Sequence, residues 1–158
     1  MLQGKSPRES RVEMTEFVLP SDTNPLGTIF GGRVMQWIDI AAGVAAGRHS
    51  RRPCVTALMD ALNFLSPIHL GSVAVLEAKV LAAFKTSMEV GVTVHSEDLR
   101  TGDRKLCTTA FLTFVALDND GAPTRVPPIV PETEEERQAF SAAQLRREQR
   151  LSAKKSES

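Results

Sequence analysis

Apolar and polar positions change period several times along the chain, and each change marks a predicted element. Arg11 to Leu19 alternates imperfectly, with Val12, Met14, Phe17 and Val18 supplying apolar side chains, and predicts a first strand that Pro20 ends. Asp22-Thr23-Asn24-Pro25 is loop chemistry, because Asn and Asp bond their own backbone and Pro fixes φ. From about Gly32 to His49 the period becomes helical. Met35, Asp39, Ala42 and Ala46 recur at i, i+4, i+7 and i+11, with Val34, Ile38, Ala41 and Ala45 beside them. Its later turns (Ala41 to Gly47) are built of small residues that admit close approach. A helix this apolar is expected to be wrapped on most sides. After Arg51-Arg52-Pro53 four strands are predicted: Cys54 to Leu65, Ser72 to Phe84, Ser87 to Leu99 and Lys105 to Leu117. In the third of these, Met88, Val90, Val92 and Val94 alternate with Glu89, Gly91, Thr93 and His95, the pattern of a half-buried antiparallel strand. In the last, Cys107, Phe111, Val115 and Leu117 are expected to share the apolar face.

One strand, one buried helix and then four strands in meander order predict an α+β fold with an antiparallel sheet. A sheet wrapped around one long central helix describes the hotdog fold. Met1 to Glu9 reads as a flexible leader, residues 10–130 as the domain, and residues 131–158 as a charged C-terminal helix and tail. That last helix opens with glutamates and closes basic, which complements a helix macrodipole. Its apolar positions (Ala139, Phe140, Ala143, Leu151) are sparse, so it is expected on the surface or at a subunit contact, fraying near Ser152.

A length of 158 residues suits one domain with a real core. The 19 basic and 19 acidic residues cancel, so a bulk electrostatic case for nucleic acid is absent. No apolar run reaches membrane-spanning length, and the polar N-terminus has no signal-peptide core. Cys54 and Cys107 lie in separate predicted strands and read as reduced thiols, which points to the cytoplasm. His49, His69 and His95 stand apart, so no metal site is expected and no cofactor is called for.

The chemistry concentrates between Asn24 and Asp39. Gly31 and Gly32 open the helix, where backbone N–H groups lack intrahelical acceptors and the positive end of the helix dipole favours a developing oxyanion. Losing one such donor costs about 3–4 kcal/mol of transition-state stabilisation in hydrolases. Asn24 supplies an amide and Asp39 an acid/base or nucleophile. At 1.5 Å rise per residue, Asp39 lies roughly 12 Å along the axis from Gly31. One helix cannot bring both to a single carbonyl, so a catalytic role for both predicts a symmetric dimer with shared sites.

The block from Asp22-Thr23-Asn24 through Gly27, Ile29-Phe30-Gly31-Gly32 and Met35-Gln36-Trp37-Ile38-Asp39 resembles the acyl-CoA thioesterase branch of hotdog proteins. Val55 to Asp60, Phe64-Leu65-Ser66-Pro67, Lys85 to Val90 and Thr113 to Asp118 extend the resemblance, which runs from about Glu13 to Pro131. It implies hydrolysis of acyl-CoA to a fatty acid and coenzyme A without metal or redox cofactor. Asp39 is then general base or nucleophile, Asn24 its partner across a dimer interface, and the Gly31 N–H the oxyanion donor. Thr56 matches a site-lining threonine of some relatives. Phe30 stands where relatives can carry His, which leaves Asp39 as the main acid/base. The family builds homodimers that commonly assemble into hexamers as trimers of dimers. Gly32, Lys85, Thr86 and Ser87 are the candidates for the coenzyme A moiety, with Arg100, Arg104 and Lys105 also at strand ends. Met35, Trp37, Leu58 and Phe64 are expected to set the depth of an acyl tunnel. Two other functions compete. A non-catalytic acyl-CoA-binding regulator would leave Asp39 unexplained, and a hydroxyacyl-thioester dehydratase wants a His that the Asn24–Asp39 block lacks.

Overall fold

The computed structural model describes residues 2–157. Strand β1 (Val12–Phe17) leads through a one-turn 3₁₀ segment (Pro20–Asp22) into helix α1 (Gly31–Ser50). Strands β2 (Cys54–Phe64), β3 (Val73–Ala83), β4 (Ser87–Glu97) and β5 (Arg104–Ala116) follow, then helix α2 (Glu134–Glu157). All five strands form one antiparallel sheet in the order β1-β3-β4-β5-β2. Wrapped around α1, this sheet is a hotdog fold, as the hydrophobic pattern predicts.

The meander is only partly realised. β3, β4 and β5 run as consecutive neighbours, but β2 pairs with β5 and not with β3. Residues 65–72 carry the chain from one edge of the sheet to its other side, across the mouth where α1 begins. Periodicity identifies strands without naming their partners, so this crossover is invisible to it.

Strand β4 buries Met88, Val90, Val92 and Val94 against α1, as the alternation requires. In β5 the expected faces are exchanged: Ala110, Leu112, Phe114 and Ala116 enter the core, while Phe111 and Val115 are half-buried on the outer face. Both faces of β5 are apolar enough to be covered, and α2 covers the outer one. The helix presents arginines there: Arg146 stacks over the Phe111 ring at 3.6 Å, and Arg147 lies 4.4 Å from the Phe84 centroid. Arg146 also grips Glu89, which is buried, through Nε to Oε1 at 2.7 Å and Nη2 to Oε2 at 3.2 Å. A buried carboxylate needs such a fork. The helix continues past Ser152 to Glu157.

Helix α1 buries Val34, Ile38, Ala41, Ala42, Ala45 and Ala46, with Trp37, in the core. The small side chains let the sheet close around it. Its opposite side stays open in the protomer: Met35, Ile40 and Val44 are exposed, and so is most of the adjoining edge strand β2. Within the expected leader, Lys5 bridges to Ile129 and donates from Nζ to the His49 carbonyl oxygen at 2.9 Å. Pro7–Ser10 forms a 3₁₀ turn, and the Ser10 hydroxyl accepts from Val80 N–H.

Candidate active site

The loop before α1 is closed by its own polar groups. Asn24 Oδ1 accepts from Leu26 N–H at 2.9 Å and from Thr28 N–H at 3.2 Å, and its Nδ2 donates to Thr28 Oγ1 at 2.9 Å. This is the Asx-type turn the Asn-Pro pair favours. One amide hydrogen is used in the turn and the second is left for another acceptor. Gly27 completes the turn with φ of 78°, in the left-handed region that a side chain would strain.

Asp22 ties this loop to the helix. Its Oδ2 accepts from Leu19 N–H at 2.9 Å, its Oδ1 meets Arg33 Nε at 2.9 Å, and its carbonyl accepts from Phe30 N–H at 2.9 Å. Phe30 precedes α1 without a side-chain cap, and no described residue accepts from the Gly31 or Gly32 N–H. Two donors at the positive end of a 20-residue helix are therefore free for an incoming oxygen. Gly31 lies on a cleft of about 340 Å³ lined by Ile29, Val34, Phe64 and Ile68, with the hydroxyl residues Ser66 and Thr108. A Cβ on Gly31 would stand 3.3 Å from Phe64 Cζ, so the ring lies directly against the helix start.

Asp39 lies two turns further along, half-buried on the open side of α1. Thr56, on the neighbouring strand β2, donates from Oγ1 to Asp39 Oδ1 at 2.6 Å. That short bond fixes one carboxylate oxygen and leaves the other free. The structure thus brings Asp39 to Thr56 and holds Asn24 in the loop that leads into Gly31.

The other candidates lie elsewhere. Phe84 to Thr86 form the β3–β4 turn and Ser87 opens β4; the Thr86 carbonyl accepts from Ala116 N–H, and Lys85 lines a second cleft of about 290 Å³ with Phe84 and Arg125. His69 and Arg100 line a separate loop cleft with Asp98, and Arg104 pairs with Glu97 at 2.7 Å. Of the four residues expected to set a tunnel, Phe64 lines the cleft, Trp37 is core, and Met35 and Leu58 are exposed on the open side. Neither cysteine is set up as a nucleophile: Cys107 is buried, and burial pushes the Cys54 thiol up despite its contact with Ser50 Oγ at 3.2 Å. Among the described residues, no group of three or more His, Cys, Asp or Glu side chains converges as a metal site requires. No described helix is long and apolar enough to cross a membrane.

Sequence reasoning took Asp22 and Ser66 only as parts of a loop and of the resemblance, and it passed over Thr108. Asp22 carried a signal, since an acidic residue three positions after Leu19 is placed to cap a turn. Thr108 carried one too, as a polar residue on the otherwise apolar inner face of β5.

A long helix wrapped by one antiparallel sheet, with unpaired N–H donors at its start and a hydrogen-bonded carboxylate on its open flank, defines a protein of the hotdog fold. The model of the thioesterase superfamily matches residues 26–102. A Bacillus subtilis protein described as an uncharacterized acyl-CoA thioester hydrolase is 47% identical over 148 residues, covering 94% of this chain and 86% of that one. A crystal structure of an apo-hexameric acyl-CoA thioesterase superposes with a TM-score of 0.92 at 44% identity, over 96% of this chain and 97% of the other. The acyl-CoA hydrolase of Staphylococcus aureus, solved with butyryl coenzyme A, coenzyme A and coenzyme A disulfide, has a TM-score of 0.90 at 37% identity, over 97% and 93% of the two chains. Mammalian acyl-CoA thioesterases also match, and the chain spans 25–35% of their length. The chain belongs to the thioesterase superfamily.

Proposed function

We propose that the protein is an acyl-CoA thioesterase, converting acyl-CoA and water to a free acid and coenzyme A. The observation that carries this reading is the Asp39–Thr56 pair at 2.6 Å on an open helix face. An oriented carboxylate is the group needed to activate water or to attack the carbonyl directly. The Gly31 N–H, with the spare Asn24 amide hydrogen, polarises the thioester carbonyl. Gly31 lies about 12 Å along α1 from Asp39, so each site is completed by a second copy. Asp39 and Thr56 of one protomer face Asn24 and Gly31 of its partner.

Three further facts support the reading. The long exposed edge of β2 and the apolar residues Met35, Ile40 and Val44 need a cover in water. The similar thioesterase noted above is a hexamer, which fits a homodimer assembled further as a trimer of dimers. The S. aureus hydrolase has also been solved with an asparagine, an aspartate or a threonine changed to alanine. Those positions are spaced 15 and 17 residues apart, the separations of Asn24 from Asp39 (39 − 24) and of Asp39 from Thr56 (56 − 39) here. Residues 10–130 form the catalytic unit in this reading, residues 131–158 the appended helix. Gly32, Lys85, Thr86 and Ser87 serve the coenzyme A moiety, and the cytoplasm is the compartment.

The test is thiol release from acyl-CoAs of graded chain length by wild type, Asp39→Ala and Asn24→Ala. Each variant is expected to lose most turnover while still binding coenzyme A. Co-expressed in one cell, the two form mixed dimers with one intact site and recover part of the activity. No turnover by wild type on any chain, with coenzyme A esters still bound, overturns the enzyme in favour of a regulator. No recovery in the mixed dimers overturns the shared site.

A further inference from the structure

Seven polar or charged residues are buried among the described residues: Ser6, Ser10, Asp22, His49, Ser50, Glu89 and Thr108. Six have side-chain partners. Ser6 bonds Glu9, Ser10 bonds Pro7 and Val80, Asp22 bonds Leu19 and Arg33, His49 bonds Pro127, Ser50 bonds Ala46, and Glu89 is forked by Arg146. The Thr108 side chain alone makes none, although the residue is 1% exposed. Among the described residues His49 Nδ1 is the one side-chain polar atom fully shut from solvent without a partner; the Thr108 oxygen instead keeps contact with solvent at the cleft it lines, where no protein group bonds it.

Its surroundings show what such a free hydroxyl can meet. Thr108 lines the cleft at the start of α1, the same cleft that Gly31 opens on. On β5 it precedes Ala110, Leu112, Phe114 and Ala116, which share its inward face and are apolar. The other hydroxyl residue of the cleft, Ser66, is held beside it: Thr108 pairs with Phe64 across the sheet, and Ser66 N–H donates to the Cys107 carbonyl. The rest of the wall that matters here is Ile29, Val34, Phe64 and Ile68. An apolar cleft of about 340 Å³ with two hydroxyls beside the oxyanion donors suits a short chain that carries one oxygen. The phosphorylated end of coenzyme A is too charged for such walls and must leave toward solvent, so the acyl end is what enters.

Resting on the thioesterase reading above, we propose that Thr108, with Ser66, selects acyl groups bearing an oxygen close to the thioester, of the 3-hydroxyacyl class. The substrate hydroxyl accepts from or donates to Thr108 Oγ1, and the hydroxyl residues of the cleft make the site discriminate against the plain saturated chain. Apolar pockets discriminate weakly against an added hydroxyl, whereas sites with buried hydrogen-bonding groups discriminate strongly against its loss.

The test compares (R)- and (S)-3-hydroxybutyryl-CoA with butyryl-CoA for wild type, Thr108→Val and Thr108→Ser. Wild type is expected to hydrolyse one hydroxybutyryl enantiomer with kcat/KM at least several-fold above butyryl-CoA. Thr108→Val keeps the side-chain shape and is expected to lower the ratio of the hydroxybutyryl-CoA to the butyryl-CoA kcat/KM about tenfold. Thr108→Ser keeps the hydroxyl and the preference. Equal effects of Thr108→Val on both substrates, or a wild type that prefers butyryl-CoA, overturn the proposal and leave Thr108 bonded to solvent water only. Butyryl-CoA turnover by wild type tests the thioesterase reading separately, so the two failures are distinguishable.

Discussion

Replacing Thr56 by Val should separate orientation of the Asp39 carboxylate from its presence. The substitution keeps the β-branched shape on β2 and removes only the donor to Asp39 Oδ1, a bond of 2.6 Å. Hydrogen bonds to charged groups contribute about 1.5–3 kcal/mol. At about 1.4 kcal/mol per decade, their loss in the transition state corresponds to a fall in kcat of roughly 10- to 150-fold. Thr56 is exposed in the protomer, so solvent competes for the bond wherever the partner copy leaves it open, and the lower end applies. Asp39→Asn keeps a hydrogen-bond acceptor for Thr56 but removes the base, and should cost about 100- to 10,000-fold. Thr56→Ser should restore most of the rate. The assay is thiol release from a short acyl-CoA, with kcat and KM taken separately and coenzyme A binding measured by calorimetry. A Thr56→Val protein within twofold of wild type in kcat would refute the orienting role, and an Asp39→Asn protein retaining a tenth of wild-type kcat would refute the base or nucleophile.

Other consequences reach beyond the site. Arg146→Ala strands the Glu89 carboxylate beneath α2 and should cost about 3 kcal/mol, or roughly 6–12 °C in Tm for a domain of this size; the double change Glu89→Leu, Arg146→Met should recover most of it in a thermal melt. His49 has its pKa held below the usual value because burial disfavours the imidazolium. Its contribution to stability is therefore full above about pH 6.5 and falls as the pH drops from there through the folded value, with a slope of at most about 1.4 kcal/mol per pH unit. His49→Gln should flatten that slope in urea titrations run across the range, and an unchanged slope would count against it. Gly31→Ala retains the backbone donor but sets a methyl 3.3 Å from the Phe64 ring; KM should rise several-fold with kcat and Tm nearly unchanged, and an unaltered KM would show that substrate does not pass the ring.

Local chemistry made the elements legible. The 3.6-residue period of Val34, Ile38, Ala41 and Ala45 and the strict alternation of Met88 to Val94 reflect which side chains water excludes, and that information is carried residue by residue. The same holds for the Asn24 turn, for glycines opening a helix, and for the 12 Å arithmetic that separates Gly31 from Asp39. Partnership was decided only in three dimensions. Nothing local tells β2 to cross over to β5, yet the crossover sets Thr56 beside Asp39 and Phe64 against Gly31. Nor does β5 announce which of its two apolar faces turns inward; α2 settles that by laying Arg146 over Phe111 and Glu89. Thr108 looks like any strand threonine until the fold closes over it and supplies no partner. Periodicity reports what each residue avoids, whereas a site depends on what distant residues meet, and the energy of meeting belongs to the pair.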